Sequence, residues 1–299
     1  IVVSMAAFLA PWVLGSIMQT TRLERLVFLT SCLFIITLVN SIMCSDLPKT
    51  QQLWGTWGRA TGLATYAAFI FVFLAFMLLS SYDFRKSARI TFERVGYLVS
   101  SYTVLQWAEL DPINWSQKAL VSTLGNINFM SSLLGLASIS YFSRVFFEKL
   151  SIHTRIFYAV IIVMNTILIY VSGSIQGIGV LAAGAVLITT FFIRERVSLK
   201  ASATFLFTSS SAGVLGLLGT ASVGPFMALG QETVTYRVDY WKAAVRMTLD
   251  NPLTGVGLDS YGDFYRLYRD KAAILRTGPE RVTNTAHNIF LDVSSGAGL

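Results

Sequence analysis

The chain has 299 residues, 54% of them hydrophobic and 13% charged, and a formal net charge of +7. A water-soluble globular domain carries roughly 25% charged residues, so this composition excludes an ordinary soluble enzyme. Apolar runs of about 17–20 residues recur between short polar breaks, which is the pattern of an all-α polytopic integral membrane protein. In chain order the predicted spans are 1–18, 26–44, 63–80, 95–108, 129–147, 156–171, 178–193 and 201–218, with a further one opening at 289. That gives about nine transmembrane helices, the 95–108 span being the shortest. The chain opens on Ile1 and stops inside an apolar segment, which reads as a piece of a longer membrane protein. Its first segment lacks the basic start and the cleavage pattern of a signal peptide. Cys32 and Cys44 suggest neither a disulfide framework nor a metal site.

Loop charges orient the spans. Arg22 and Arg25, then Arg85, Lys86, Arg89 and Arg94, then Arg144, Lys149 and Arg155, then Arg194, Arg196 and Lys200 fall on one side, twelve basic residues in all. The short loops of the other face carry only Lys49, Arg59 and Lys118. By the positive-inside rule the basic side is cytoplasmic, so much of the net charge is a topology signal and requires no nucleic-acid partner. Three parts follow: a helical bundle over 1–223, an extracytoplasmic segment over 224–286, and the start of another helix over 287–299.

A connection as long as 224–286 between membrane helices is usually functional. It reads as two amphipathic helices. The first runs over 235–249 and places Val238, Trp241, Val245 and Leu249 on one stripe. Asn251-Pro252 stops it and Gly255-Val256-Gly257 turns the chain. Asp259 or Ser260 can cap the second, which aims Phe264, Leu267 and Tyr268 at lipid or protein. Basic faces opposite aromatic stripes suit helices lying at the headgroup level.

His287 stands where this polar segment meets a new apolar one. His153 belongs to a basic loop, so His287 is the one histidine expected on the outer side. A group that titrates near neutral pH at the rim of a membrane cavity is a candidate general base. Arg59, between Gly58 and Gly62 at the edge of a span, is either functional or snorkels to outer phosphates. Asn126 and Asn128 can line a path for substrate or form a turn. The short outer loops lack an Asp-x-Asp pair, and there is neither a phosphate-binding P-loop nor a zinc-ligand spacing, so no metal or other cofactor is predicted.

The order of these stretches resembles the bacterial O-antigen ligase superfamily, which includes O-antigen ligases, O-antigen polymerases and protein O-oligosaccharyltransferases. The resemblance rests on Gly55-Thr56-Trp57-Gly58-Arg59-Ala60-Thr61-Gly62-Leu63, on Gly125-Asn126-Ile127-Asn128, and on Asn251-Pro252-Leu253-Thr254-Gly255-Val256-Gly257-Leu258. It also rests on His287-Asn288 followed, after nine residues, by Gly298. It implies a glycosyltransferase of the GT-C type with an inverting mechanism, in the inner (cytoplasmic) membrane of a bacterium, its site facing the periplasm or cell exterior. The implied partners are a donor glycan on undecaprenyl pyrophosphate and a glycan, lipid or protein acceptor, as in lipopolysaccharide and other cell-envelope polysaccharide assembly. His287 becomes the catalytic histidine and Arg237 the pyrophosphate clamp, with Arg246 as its rival. Arg59, Gln176, Asn126, Asn288 and Arg246 are candidate substrate-binding residues.

The turn Ser172-Gly173-Ser174-Ile175-Gln176-Gly177 departs from the family, many of whose members carry Ser-Arg there. Arg59 or another loop cation replaces that arginine, or the donor differs, or the site is weakened. A transporter or flippase of lipid-linked sugars is the competing class. It would place its charges near the bilayer midplane, within internal repeats. No repeat is visible here, and the candidate residues cluster on one face.

Overall fold

The computed structural model describes residues 21–78, 82–113, 115, 119–220 and 232–298. Every regular element among them is helical. The helices are α1 (Arg22–Cys44), α2 (Lys49–Trp54), α3 (Leu63–Leu78), α4 (Tyr82–Trp107), α5 (Ile127–Phe147), α6 (Ile152–Val171), α7 (Ile175–Arg196), α8 (Leu199–Thr220), α9 (Glu232–Asp250), α10 (Tyr261–Tyr268), α11 (Lys271–Thr277) and α12 (Ile289–Ala297), with a 3₁₀ turn at Ser122–Leu124.

Five of these, α1 and α5 to α8, are long and apolar enough to cross a membrane. The chain is therefore a multi-pass helical membrane protein. The predicted span 1–18 lies outside the described residues. The others differ from expectation in ways with local causes. The predicted span 26–44 begins earlier, at Arg22, because Thr21 and Glu24 form a capping box: the Thr21 hydroxyl accepts from Glu24 N–H and the Glu24 carboxylate from Thr21 N–H. The predicted span 63–80 is a helix of 16 residues, about 24 Å at 1.5 Å per residue. The predicted span 95–108 is the apolar half of the 26-residue α4, whose first half carries Arg85, Lys86, Arg89, Glu93 and Arg94. The helix opening at 289 is nine residues long.

The chain divides into two compact units, Ser81–Val214 and a second composed of Ile1–Ser80 with Leu215–Leu299. In the Ser81–Val214 unit, α5 packs against α4, α6 and α7 around Val99, Met130, Leu134, Leu168 and Ile169. Small residues let the backbones approach. A Cβ at Gly177 would lie 2.5 Å from that of Ser131, and one at Gly184 would lie 2.1 Å from the Ile139 side chain. Buried Asn165 is satisfied within the bundle, accepting from Ser100 (2.7 Å) and donating to Ser138 (3.0 Å). Bulky apolar side chains such as Phe157, Val160 and Val163 face outward, as lipid-facing helices require.

In the other unit, α9 packs on α10 and α12 around Tyr240, Ala243, Ala244, Met247, Tyr261 and Tyr265. This corrects the predicted stripe. Val245 is 43% and Leu249 67% exposed, whereas the buried stripe includes Asp239, Tyr240, Ala243, Ala244, Met247 and Thr248. The small face turns inward, because α12 approaches too closely for branched side chains. Ser260 does cap α10 by position, but its hydroxyl bonds back to the Val256 and Gly257 carbonyls. Phe264 and Tyr268 pack on the core, Leu267 is exposed, and α11 is an additional short helix that the periodicity did not indicate.

Candidate functional site

The loop 55–62 turns sharply, with positive φ at Gly55, Gly58 and Ala60. One carboxylate organises it. Asp259 accepts from Thr56 N–H (2.5 Å) and the Thr56 hydroxyl (3.1 Å) on one oxygen, and from the Thr61 hydroxyl (2.6 Å) on the other. Arg59 Nε lies 4.0 Å from the same carboxylate, and its Nη1 donates to the Asn284 carbonyl. Fully buried Gln52 accepts from Leu258 N–H (3.3 Å), and Gln51 donates to the Asp259 carbonyl (3.2 Å) and to Asp263 (2.9 Å). The loop bearing Arg59 is thus fastened to the segment leading into α10, and through Asn284 to the segment leading into the histidine.

That second segment is built on Asp292, in the first turn of α12. Its carboxylate accepts from the Thr285 hydroxyl (2.5 Å) and from Ala286 N–H (2.7 Å). The Thr285 oxygen in turn accepts from His287 N–H at 3.1 Å. His287 adopts φ +54°, the left-handed region, and Asn288 then caps α12 by accepting from Phe290 and Leu291 N–H. A β-carbon in this conformation costs roughly 1–2 kcal/mol, which the Asp292 bonds offset. The result is an exposed imidazole whose ring lies 5.8 Å from that of Tyr240.

Partial burial holds the His287 pKa below its ordinary value, and the charges of Arg237 and Arg59 push it the same way, while Asp292 opposes them. The imidazole is therefore neutral near pH 7, ready to accept a proton. The charges of Arg237 and Arg59 thus both act on one histidine, although the three residues come from α9, the 55–62 loop and the lead-in to α12.

Arg237 stands apart from its neighbours. Lys242 and Arg246 both lie 3.8 Å from Asp270, and Arg246 also donates to the Tyr268 carbonyl. Arg266 pairs with Glu280 and Arg276 with Asp239. Arg269 donates to the Arg281 and Pro279 carbonyls, and Arg281 lies over the Tyr236 ring. Arg237 and Lys271 have no such partner among the described residues, and Arg237 is the one whose charge acts on His287.

Two hollows adjoin the site. An open one of about 950 Å³ is lined by α2 and the 55–60 backbone, with exposed Trp54 and Trp57. A small one of about 50 Å³ brings Arg59 together with Tyr66, Asp259, Asn284 and Asp292. Among the described residues no group of three or more His, Cys, Asp or Glu side chains is placed to hold a metal ion.

Asn126 and Gln176 belong to the Ser81–Val214 unit. Asn126 caps α5 through Asn128 and Phe129 N–H, and Gln176 is exposed on the first turn of α7. The two turns that carry them are joined by Ser174, which donates to Asn128 (3.0 Å) and accepts from Ser131 (2.7 Å). Sequence reasoning missed the roles of Asp259, Thr285 and Asp292. The signal for Asp292 was its position five residues after the histidine, one helical turn into α12.

Residues 157–299 match a protein-family model described as O-antigen ligase. The match takes in Gln176, Arg237, Arg246, His287 and Asn288, and leaves Arg59 and Asn126 outside it. No curated protein and no solved structure matches the chain.

Proposed function

We propose that this chain, whose residues 157–299 match a family model described as O-antigen ligase, transfers a glycan from an undecaprenyl-pyrophosphate-linked donor to an acceptor hydroxyl. The convergence of a neutral histidine with an unpartnered arginine carries this reading. His287 takes the acceptor proton as the hydroxyl oxygen attacks the anomeric carbon. The bond from that carbon to the pyrophosphate oxygen breaks, and undecaprenyl pyrophosphate departs with the electron pair. Direct displacement inverts the anomeric centre. Arg237 offers a planar fork to the departing diphosphate, and Arg59, tethered by Asp259 and Asn284, supplies a second charge. Stabilising the leaving group in this way requires no metal. Exposed Trp54 and Trp57 in the adjoining hollow offer faces to sugar rings.

The segment 224–286 forms the extracytoplasmic part of the site, in the cytoplasmic membrane of a bacterium. The twelve-to-three asymmetry of basic residues in the short loops supports that side. Arg237 is favoured over Arg246 as the clamp because Arg246 is already held by Asp270 and the Tyr268 carbonyl.

The test is a transfer assay with full-length protein and purified lipid-linked donor. Arg237→Lys retains charge but loses the fork, and turnover drops by roughly tenfold or more, the loss of one charge-assisted hydrogen bond. Arg246→Lys stays within a few-fold of the parent. Parental turnover by Arg237→Ala contradicts the assignment.

A further inference from the structure

A second cavity lies in the Ser81–Val214 unit, independent of the glycan-transfer reading. It is a groove of about 450 Å³ between α4, α5 and α6, within the roughly 300–1,000 Å³ typical of ligand pockets. Its floor is a closed charge network. Buried Glu93 accepts from Arg144 (2.9 Å) and from the Ser140 hydroxyl (2.7 Å). Glu148 accepts from Arg144 (2.8 Å) and Arg89 (2.6 Å). Arg144 lies 5.1 Å over the Tyr158 ring, which stacks on Tyr141 at 5.2 Å. Two carboxylates thus neutralise two guanidinium groups, and the walls are fixed.

Arg94, on the lip, is left over. It is exposed and has no hydrogen bond or ion pair among the described residues. On one side of it along the same stripe of α4 lies Ile90, with Lys86 a further turn back and outside the groove. On the other side lie Tyr97 and Leu98, the latter 65% exposed, facing Phe157 of α6, whose ring is 5.9 Å from that of Tyr97. Residues four apart share one helix face, so Ile90, Arg94 and Leu98 form one lip, with the arginine between apolar side chains. A soluble anion would satisfy Arg94 and leave the slot open to water. A plain hydrocarbon chain would fill the slot and leave the arginine unused. An amphiphile with a negative head and an apolar tail meets both.

We propose that this groove binds one anionic phospholipid, with its net-negative headgroup on Arg94 and an acyl chain along Tyr97, Leu98 and Phe157. The groove sits where the charged half of α4 and the connection from α5 to α6 meet apolar helix, the depth of a headgroup. A juxtamembrane cation contributes roughly fivefold to anionic-lipid affinity.

The test is native mass spectrometry of the full chain in detergent, titrated with phosphatidylglycerol or phosphatidylcholine, reading the affinity of the first bound lipid. The parent binds phosphatidylglycerol several-fold more tightly. Arg94→Gln loses about fivefold for phosphatidylglycerol and little for phosphatidylcholine. Leu98→Trp, which fills the slot from an exposed position, weakens both. Arg155→Gln, an exposed cation outside the groove, changes neither. The proposal is overturned if the parent does not distinguish the two lipids, if Arg94→Gln binds like the parent, or if Arg155→Gln loses as much as Arg94→Gln. A dimer that Leu98→Trp dissociates would also overturn it, assigning the groove to a second protein chain.

Discussion

Asp292 is the residue through which the site is most open to test without touching the imidazole. Its two bonds, 2.5 Å to the Thr285 hydroxyl and 2.7 Å to Ala286 N–H, hold the backbone that presents His287 in the left-handed region. Hydrogen bonds to a charged acceptor contribute roughly 1.5–3 kcal/mol each, and the left-handed conformation costs about 1–2 kcal/mol. Asp292→Ala removes both bonds while the strain remains, so the competent conformation loses about 3–6 kcal/mol. That is a roughly 10²- to 10⁴-fold fall in turnover. Asp292→Asn separates charge from geometry. It keeps an acceptor oxygen but removes the negative charge that raises the His287 pKa against burial, Arg237 and Arg59. The active form carries neutral imidazole, so the rate falls on the acid side as His287 takes a proton. Without Asp292 that protonation requires lower pH, and the acid limb of kcat/KM moves down. Tyr240 is the remaining ionisable group against the ring. The assay is a pH–rate profile of both variants with purified donor. A purely structural carboxylate leaves the acid limb where it was. An unmoved or upward-shifted limb in Asp292→Asn, with turnover at the parental level, refutes the reasoning.

Two further outcomes follow from the topology and the packing. In a background with Cys32 and Cys44 replaced by serine, an impermeant thiol reagent on intact spheroplasts labels Leu275→Cys and spares Ser198→Cys; the reverse pattern inverts the orientation. Gly177→Ala sets a methyl group 2.5 Å from Ser131 Cβ and 2.9 Å from Ile169, and overpacking of this kind costs about 1–3 kcal/mol, so thermal unfolding in detergent shifts to lower temperature. An unshifted transition means that α5 and α7 are not packed through this glycine.

Much of the fold was legible because hydropathy is a one-dimensional property: a run of apolar residues spans whatever it packs against. The misreadings arose where three dimensions decide. The stripe Val238, Trp241, Val245 and Leu249 was read from helical spacing alone. The helix instead buries Ala243 and Ala244 against α12 and leaves Val245 and Leu249 exposed. The 95–108 span was cut short by Arg94 and Glu93, yet the helix continues through them because Glu93 is neutralised by Arg144, more than fifty residues away. In the site, His287, Arg237 and Arg59 were readable as chemistry-bearing residues. The two carboxylates that position Arg59 and His287 were not. Asp259 read as a helix cap and Asp292 was not singled out, and each acquires its role from hydrogen bonds to other segments. Likewise, the sequence named Arg237 first and kept Arg246 as its rival, and it did not show that Arg246 is held by Asp270 and the Tyr268 carbonyl.

The most direct test of the central claim is glycan transfer by full-length His287→Ala with purified lipid-linked donor and a defined acceptor, set beside donor binding by the same variant. General-base assistance contributes roughly 10²–10⁴ in rate. The account predicts a loss of that order in transfer, with donor affinity within a few-fold of the parent. Parental turnover by His287→Ala would contradict it.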